Sequence, residues 1–127
     1  MTKQRCLRLL WRSQMHLDDL ANSLNETAIE KGFWSPLSRM ESEDDFIFYA
    51  KQLAMIHSEV TEALEALRKN QGDEKFVEEL ADIIIRVLDL WAGMNKMRVK
   101  ALPSIHNTLR DKALVNKSRE KLHGTRG

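Results

Sequence analysis

The sequence predicts an all-α protein, and three observations support this prediction. Only five glycines and two prolines occur among 127 residues, so few positions interrupt a helix. Apolar residues recur at the three- and four-residue intervals of amphipathic helices, and alternation typical of strands is absent. The length corresponds to one domain, and 43% hydrophobic residues are enough to form a core. We therefore expect an antiparallel helical bundle.

The first helix is expected over residues 4–31, and Gly32 is placed to end it. A loop over residues 32–41 follows and contains two large aromatic residues, Phe33 and Trp34. Two interpretations of Trp34 remain open at this point. Its ring either plugs the end of the bundle or stacks on a nucleobase, since every base offers a π-face.

The second helix is expected from Ser42, which forms a capping-box pattern with Asp45, to about Lys69. Its apolar residues recur at roughly heptad spacing, which predicts a core-facing stripe. The stripe comprises Phe46, Leu53, Ile56, Val60, Ala63, Leu64 and Leu67. Glu59 and Glu62 lie on a different line, together with three apolar positions, and this is typical of a site lining. Those positions are Phe48, Met55 and Ala66.

Asp73 is expected to cap a third helix that extends to about Trp91 or beyond. Its polar residues fall within an arc of roughly 100°, and they are Glu78, Glu79, Asp82, Arg86 and Asp89. A surface helix of a monomeric bundle buries an apolar stripe of about 100°, not the rest of its circumference. We therefore expect other subunits to cover this helix and the polar stripe to face an internal cavity. Arg86 is expected to pair with Asp82 or Asp89.

The segment from Glu59 to Asp82 carries four carboxylates in two pairs. Glu59 and Glu62 lie three residues apart in the second helix, as do Glu79 and Asp82 in the third. Residues at this spacing share a helix face, and the turn at residues 69–73 folds the two helices into an antiparallel hairpin. Four carboxylates in one place repel each other unless a cation lies among them. The other interpretation is a pair of surface helices whose carboxylates form salt bridges with neighbouring cations.

A basic transition over residues 93–102 is followed by Pro103, which is expected to open a fourth helix from Ser104 to about Leu122. Four polar residues occur in it at steps of four, three and four residues, and so share one line. They are Lys112, Asn116, Arg119 and His123. The line is either a solvated basic face or a set of phosphate contacts, and the carboxylate pattern favours phosphate contacts.

Together, these motifs resemble those of the MazG-like all-α nucleoside triphosphate pyrophosphohydrolases, and in particular of their compact phage-encoded members. The resemblance covers residues 30–124 and rests on Glu59-x-x-Glu62, Glu79-x-x-Asp82 and Lys112-x-x-x-Asn116-x-x-Arg119. It implies a single MazG-like helical domain over residues 1–124, a flexible end over residues 125–127, and a core completed by oligomerisation. Many relatives have proline after the arginine of the tail, where this chain has Glu120.

The resemblance also implies an activity and a set of site residues. (Deoxy)nucleoside triphosphates would be hydrolysed between the α- and β-phosphates to a nucleoside monophosphate and pyrophosphate, with dGTP as the first hypothesis. Glu59, Glu62, Glu79 and Asp82 would form the catalytic centre and hold Mg²⁺, for which Mn²⁺ would substitute. Substrate contacts would come from Lys112, Asn116, Arg119 and Trp34. Homodimers or homotetramers are implied, and the tetramer is favoured.

The composition restricts the other partners and the location. Lys and Arg (20) nearly balance Asp and Glu (19), so the charge gives no reason to expect nucleic acid or a membrane as a partner. Cys6 is the single cysteine, which excludes an internal disulfide and suits a reducing compartment. No secretory signal is recognised, and no uncharged run reaches the ~18 residues of a membrane span. We expect a cytoplasmic protein, in the host cytoplasm if the gene is phage-borne.

Other functional classes were compared with this interpretation. A di-iron bundle needs Glu-x-x-His on two helices, and the chain has only Glu120-x-x-His123. A P-loop ATPase needs a Gly-Lys-Ser/Thr sequence, which does not occur. A non-enzymatic helical interaction module and a hydrolase of a guanosine tetraphosphate alarmone remain as alternatives. Metal-dependent thermal stabilisation would distinguish the interaction module from the enzyme.

Overall fold

The structure is a computed structural model that describes residues 15–34 and 43–119 of the chain. Over these residues the fold is all-helical, as the sequence predicts. Its helices are α1 (Leu17–Glu30), α2 (Glu43–Arg68), α3 (Asp73–Met97) and α4 (Ile105–Ser118). None of these four combines the length and the apolar composition that crossing a membrane requires. The predicted features at residues 4–14, Ser42, His123 and residues 125–127 lie outside the described residues. The prediction of one unbroken helix over residues 4–31 is wrong at Met15 and His16, because His16 is extended and caps α1 by accepting a hydrogen bond from the Asp18 amide.

The end of α1 coincides with the glycine that the sequence identifies as its stop. Gly32 has a φ of +81°, a left-handed conformation that glycine adopts without steric cost. The amides of Gly32 and Phe33 donate hydrogen bonds to the carbonyls of Ile29 and Ala28, each at 3.0 Å. These bonds satisfy carbonyl groups at the helix end that would otherwise lack partners, so the chain leaves the helix in a defined direction.

The predicted hairpin of α2 and α3 is confirmed. The two helices are joined by residues 69–72 and pack against each other. Asn70 and Gly72 have positive φ values of 52° and 98°, and these reverse the chain direction. The cap of α3 differs from the prediction. The N-cap is Gly72, which has no side chain to cap the helix, and Asp73 lies in the first turn. A carboxylate there still interacts favourably with the positive end of the helix dipole.

Gly93 lies inside α3, which continues to Met97 instead of giving way to a separate basic segment. The glycine at this position is explained by a long-range contact. The indole of Trp34 lies so close to Gly93 that a Cβ atom at this position would collide with its six-membered ring. Glycine is therefore required here for the close approach of another side chain and not to end the helix.

The buried apolar core described by the structure lies between α1 and α3. Ala21, Leu88 and Ala92 are buried, and four partly buried side chains surround them: Leu20, Leu24, Trp91 and Ile105. The start of α4 joins this cluster through Ile105. Ser104, where the sequence expects the helix to begin, is its N-cap and accepts a hydrogen bond from the Asn107 amide at 3.1 Å, so Pro103 precedes the cap instead of lying in the first turn. The core therefore ties three of the four described helices together.

The apolar stripe of α2 that the sequence assigns to the core faces outward in the single chain. Ala63 is buried and Ile56 is half-buried. The remaining five residues are 47–75% exposed: Phe46, Leu53, Val60, Leu64 and Leu67. Within one chain the predicted core stripe is thus buried only at Ala63 and in part at Ile56, and whether other subunits cover the rest stays a prediction. Instead α2 turns Glu59, Ala63 and Ala66 away from solvent, and these short alanines allow α3 to approach closely.

The apolar side of α3 is also largely exposed, whereas its polar stripe faces neighbouring helices. Exposure of 39–59% is found for Val77, Leu80, Ile84, Ile85 and Val87. In the polar stripe, Glu79 is buried and Arg86 and Asp89 are half-buried, although Glu78 and Asp82 are exposed. The described residues therefore leave much of the apolar circumference of α3 uncovered, while its cover by other subunits stays a prediction. The prediction that the whole polar stripe faces an internal cavity is wrong for Glu78 and Asp82.

Candidate metal centre

Three of the four predicted carboxylates meet between α2 and α3. Glu59 on α2 and Glu79 and Asp82 on α3 each offer a carboxylate oxygen, and these oxygens lie within 4.8 Å of one another. The local cause is helix periodicity, which puts Glu79 and Asp82 one turn apart on the same side of α3. The hairpin then brings Glu59 to the same level. Oxygen ligands at such separations match the preference of hard divalent cations.

The fourth carboxylate, that of Glu62, is exposed and lies beside this group. The neighbouring Glu59 raises the pKa of Glu62 through a hydrogen bond and through charge repulsion, and burial, Glu79 and Asp82 raise it further. A raised carboxyl pKa means that an additional negative charge is unfavourable at this place. Glu62 therefore experiences the same accumulation of negative charge as the three clustered residues.

Glu79 is buried, with 6% of the residue exposed, and its carboxylate is only half satisfied. Its Oε1 atom forms an ion pair with the Lys75 ammonium group, with 3.0 Å between Oε1 and Nζ. Oε2 is buried and has no hydrogen-bond partner in the described part of the chain. Leaving a buried acceptor unsatisfied costs about 1–3 kcal/mol, and more for a charged group. The buried oxygen therefore calls for a partner that the described residues do not supply.

Arg86 pairs with Glu59, and not with Asp82 or Asp89 as the sequence suggested. The Arg86 Nε atom donates to Glu59 Oε1 at 2.7 Å, and the glutamate side chain is only 13% exposed. The pair joins α3 to α2, so packing of the hairpin decided it. Arg86 is thus bonded to a carboxylate on the other helix, and not to Asp82 or Asp89 on its own helix. As a consequence Glu59 keeps one orientation in the cluster.

Lys75 is a site residue that the sequence interpretation missed. Its ammonium group contacts Glu79, and this carboxylate raises the pKa of Lys75 through a hydrogen bond and through charge attraction. The i,i+4 spacing of Lys75 and Glu79 was a visible signal, since such residues are neighbours on a helix surface. The signal was not specific, because the same spacing is common in solvated helices.

A second polar cluster lies farther along the same side of α3 and is centred on Asp89. Asn25 of α1 is fully buried, and its Nδ2 donates to Asp89 Oδ1 at 2.8 Å. Lys96 donates to Asn25 Oδ1 at 2.7 Å. The indole Nε1 of Trp34 donates to both Asp89 oxygens, at 2.9 and 3.0 Å. This Asp89 cluster was not anticipated, because its members come from distant parts of the chain.

Trp34 is held in place by the Asp89 cluster. Besides its hydrogen bonds to Asp89, the indole rests on Gly93 and contacts Phe48, with 5.2 Å between the ring centroids. The half-buried ring thus closes one end of the described bundle, which fits the interpretation as a plug. Asp89 lies seven residues from Asp82, or about 10.5 Å along the helix axis.

The predicted phosphate-contact residues lie on and after α4. Lys112 and Asn116 are exposed on this helix, which packs against α1. Arg119 follows the helix end in an extended conformation, with φ −72° and ψ 148°. The helix therefore ends before the predicted Leu122, and Arg119 does not continue the helical line of Lys112 and Asn116.

Comparison with known proteins identifies no relative of this chain. The chain matches no protein-family model, no curated protein and no solved structure at a significant level. A functional interpretation of the carboxylate cluster therefore depends on its geometry and on the motifs of the sequence.

Proposed function

We propose that the protein is a metal-dependent nucleoside triphosphate pyrophosphohydrolase of the MazG-like type. The observation that carries the proposal is the meeting of carboxylate oxygens from Glu59, Glu79 and Asp82 within 4.8 Å of one another, together with a buried oxygen of Glu79, Oε2, that has no partner among the described residues. The two i,i+3 acidic pairs on consecutive helices add the sequence pattern that resembles this family. The proposed reaction releases pyrophosphate and a nucleoside monophosphate, and it takes place in the cytoplasm.

The donor set fits Mg²⁺, or Mn²⁺ in its place, because all candidate ligands are carboxylate oxygens. Glu59, Glu79 and Asp82 would hold the ion, and Glu62 would add a fourth carboxylate. When bound, such an ion neutralises phosphate charge and lowers the pKa of a coordinated water. The raised pKa of Glu62, caused first by Glu59, shows the surplus of negative charge that a divalent cation would relieve.

The protein's own residues would orient both the ligands and the substrate. Arg86, at 2.7 Å from Glu59, keeps this carboxylate directed into the cluster. The exposed Lys112, Asn116 and Arg119 would contact phosphate or sugar oxygens by charge-assisted hydrogen bonds. Trp34 would stack on the nucleobase from its half-buried position beside Asp89, which lies about 10.5 Å along α3 from Asp82.

The exposed apolar residues of α2 and α3 support an oligomeric active form, with a homotetramer favoured over a homodimer. Leu53, Val60 and Leu64 on α2 and Val77 and Ile84 on α3 are all 47–59% exposed. Burying one such side chain contributes roughly 1.5–3 kcal/mol, so covering several favours association. Light scattering at micromolar concentration checks this: an active species of 14.8 kDa would contradict the proposal.

A non-enzymatic helical interaction module is the second candidate, because the same exposed apolar surface would serve it. Such a module has no use for an unpartnered buried carboxylate oxygen. Thermal unfolding with and without Mg²⁺ separates the two: the enzyme is stabilised by the ion, and the module is not.

The activity is tested with a panel of nucleoside and deoxynucleoside triphosphates, together with guanosine tetraphosphate, in the presence of Mg²⁺. We expect pyrophosphate and a nucleoside monophosphate as products, with turnover of one or more deoxynucleoside triphosphates. Release of orthophosphate alone would mean that a different bond is broken. Hydrolysis of the tetraphosphate alone would identify the alarmone alternative.

Variants of the cluster test the assignment of its residues. Glu59→Gln and Asp82→Asn are expected to lower turnover by at least about a hundredfold, since even indirect partners of a metal commonly matter 10–100-fold. Glu65→Gln is a matched control, because Glu65 pairs with Arg68 and Lys69 on α2 and not with the cluster. Wild-type turnover by either cluster variant would contradict the assignment.

The contribution of the tail is tested separately. Lys112→Ala and Arg119→Ala are each expected to raise KM for triphosphates about tenfold or more, the loss typical of a charge-assisted contact. Lys117→Ala is the control, because Lys117 is a neighbouring cation that the proposal gives no role. If KM and kcat stay unchanged in both test variants, the row is a solvated basic face.

A further inference from the structure

We propose that Lys75 is a displaceable counter-ion of the carboxylate cluster. Its ammonium group occupies Oε1 of Glu79 while the cluster lacks a metal, leaves this oxygen when a divalent cation binds, and then binds a phosphate group of the substrate. The inference rests on the proposed metal site formed by Glu59, Glu79 and Asp82, and it names a further residue that acts there.

The position of Lys75 is not explained by the energetics of the helix itself. It is the third residue of α3, where the positive end of the helix dipole disfavours a cation. In the pair with Glu79 the lysine also precedes the acid, which is the weaker order for an i,i+4 ion pair. The favourable interaction that holds Lys75 in place is therefore with the acidic cluster.

The contact places a mobile cation on a candidate ligand atom. Lys75 Nζ lies 3.0 Å from Glu79 Oε1; the lysine side chain is 48% exposed, and that of the glutamate only 8%. The lysine thus reaches the buried carboxylate from the solvent side, while Glu79 Oε2 remains without a partner. A hard cation that used both oxygens of Glu79 would have to take the place of the ammonium group.

The charges in and around the cluster identify Lys75 as the cation that moves. The four carboxylates of the proposed site face two cations, Arg86 and Lys75, and the exposed Glu78 adds a further negative charge nearby. The carboxylates outnumber the cations, so a divalent ion would find an excess of negative charge. Arg86 is held between two helices by its bond to Glu59 at 2.7 Å. Lys75 lies at the solvent edge on a flexible chain of four carbons, with its side chain 48% exposed. Released from Glu79, it is a free donor beside the site where phosphate groups would bind.

The first experiment measures Mn²⁺ binding by the electron paramagnetic resonance signal of the free ion, without nucleotide. Lys75→Met is expected to bind Mn²⁺ about three- to tenfold more tightly than the wild type, because the competing cation is gone. Lys69→Met is the matched control: Lys69 forms an i,i+4 pair with Glu65 at 3.8 Å and is outside the cluster. Equal or weaker Mn²⁺ affinity in Lys75→Met would overturn the inference.

The second experiment measures binding of the α,β-methylene analogues of the four deoxynucleoside triphosphates at saturating Mn²⁺. Lys75→Met is expected to bind them about tenfold more weakly, and Lys75→Arg to restore the affinity, since one phosphate contact is lost and then replaced. Opposite effects on metal and nucleotide affinity are the signature of displacement. If both affinities fall together in Lys75→Met, the lysine has a structural role and the inference is wrong.

The two proposals fail in different ways. If Lys75→Met binds Mn²⁺ more tightly but the protein hydrolyses no nucleotide, Lys75 is a counter-ion of the cluster and the proposed function is wrong. If the protein releases pyrophosphate but Lys75→Met and the wild type bind Mn²⁺ equally well, the proposed function holds and the role of Lys75 is wrong.

Discussion

The polar side of α3 has two halves that differ in how completely their charges are satisfied. Around Asp89, each hydrogen-bonding group has a protein partner: Asn25 and Trp34 donate to the carboxylate, and Lys96 donates to Asn25. Around Glu79, one buried carboxylate oxygen has none within the described residues. The halves lie on the same side of one helix, so helix periodicity alone does not explain the difference.

The comparison motivates assigning the proposed metal to the carboxylate cluster and not to the Asp89 cluster. Buried polar groups in folded proteins are hydrogen-bonded in the great majority of cases, and an exception calls for an explanation. The Asp89 cluster is complete as it stands, which is the behaviour of a structural network. The Glu79 carboxylate is not complete in this sense, and the proposed cation would supply the missing partner. The following predictions test this distinction, beginning with the largest effect.

Metal-dependent stabilisation should separate the two halves most clearly. A cation that binds only the folded state adds about 4 kcal/mol at a thousandfold excess over its Kd. We expect Asp82→Asn to lose most of this gain and Asp89→Asn to keep it. The measurement is urea unfolding at several Mg²⁺ concentrations. Loss of the gain in Asp89→Asn as well would mean that the two clusters are not independent.

Removing the centre of the structural network should destabilise the fold whether or not metal is present. Asn25→Leu is nearly isosteric but leaves Asp89 and Lys96 without a shared partner, at an expected cost of about 2–3 kcal/mol. The loss should be equal with and without Mg²⁺ in the same unfolding experiment. Asn22→Leu is the control, because Asn22 is a half-buried asparagine of α1 outside the network. A loss below the uncertainty of the measurement would contradict the importance of the network.

The contact between Gly93 and Trp34 should produce a smaller effect. Gly93→Ala forces the indole to move, at a cost of about 1–3 kcal/mol, which exceeds the gain in helix propensity of about 1 kcal/mol. In a Trp34→Ala background the same substitution should be stabilising, because the collision is gone. The readouts are unfolding free energy and the NMR signal of the Trp34 indole N–H. Destabilisation of equal size in both backgrounds would show that another contact is responsible.

The smallest effect is expected at Glu62 in the metal-free protein. Because Glu59 raises its pKa above the ordinary value of 4.5, the folded state favours the protonated form. Stability that is fully present below pH 4.5 is therefore lost as the pH rises through the raised pKa. Glu62→Gln removes this loss and should make the metal-free protein slightly more stable at pH 7.

The control for Glu62→Gln is Glu65→Gln, which should bring no gain, because Glu65 is paired with Arg68 and Lys69. Both variants are compared by urea unfolding at pH 7 with a chelator present. Lower stability of Glu62→Gln than of the wild type at this pH would contradict the repulsion between Glu59 and Glu62.

The sequence by itself determined the features that depend on near neighbours in the chain. The stop of α1 at Gly32, the turn before Asp73 and the acidic pairs of α2 and α3 follow from backbone conformation and helix periodicity. For the same reason the hairpin could be predicted, and with it the approach of Glu59 to Glu79 and Asp82. Lys75 could also have been found, from its spacing to Glu79.

Only the tertiary structure decided how the helices are rotated about their axes and which distant residues meet. The rotation of α2 turns Ala63 and Ala66 inward and leaves most of the predicted stripe exposed. It also gives Arg86 a partner on another helix. The Asp89 cluster joins residues as far as 71 positions apart. Periodicity specifies which residues share a face, whereas the choice of the face that packs depends on the sum of all long-range contacts, which no local pattern contains.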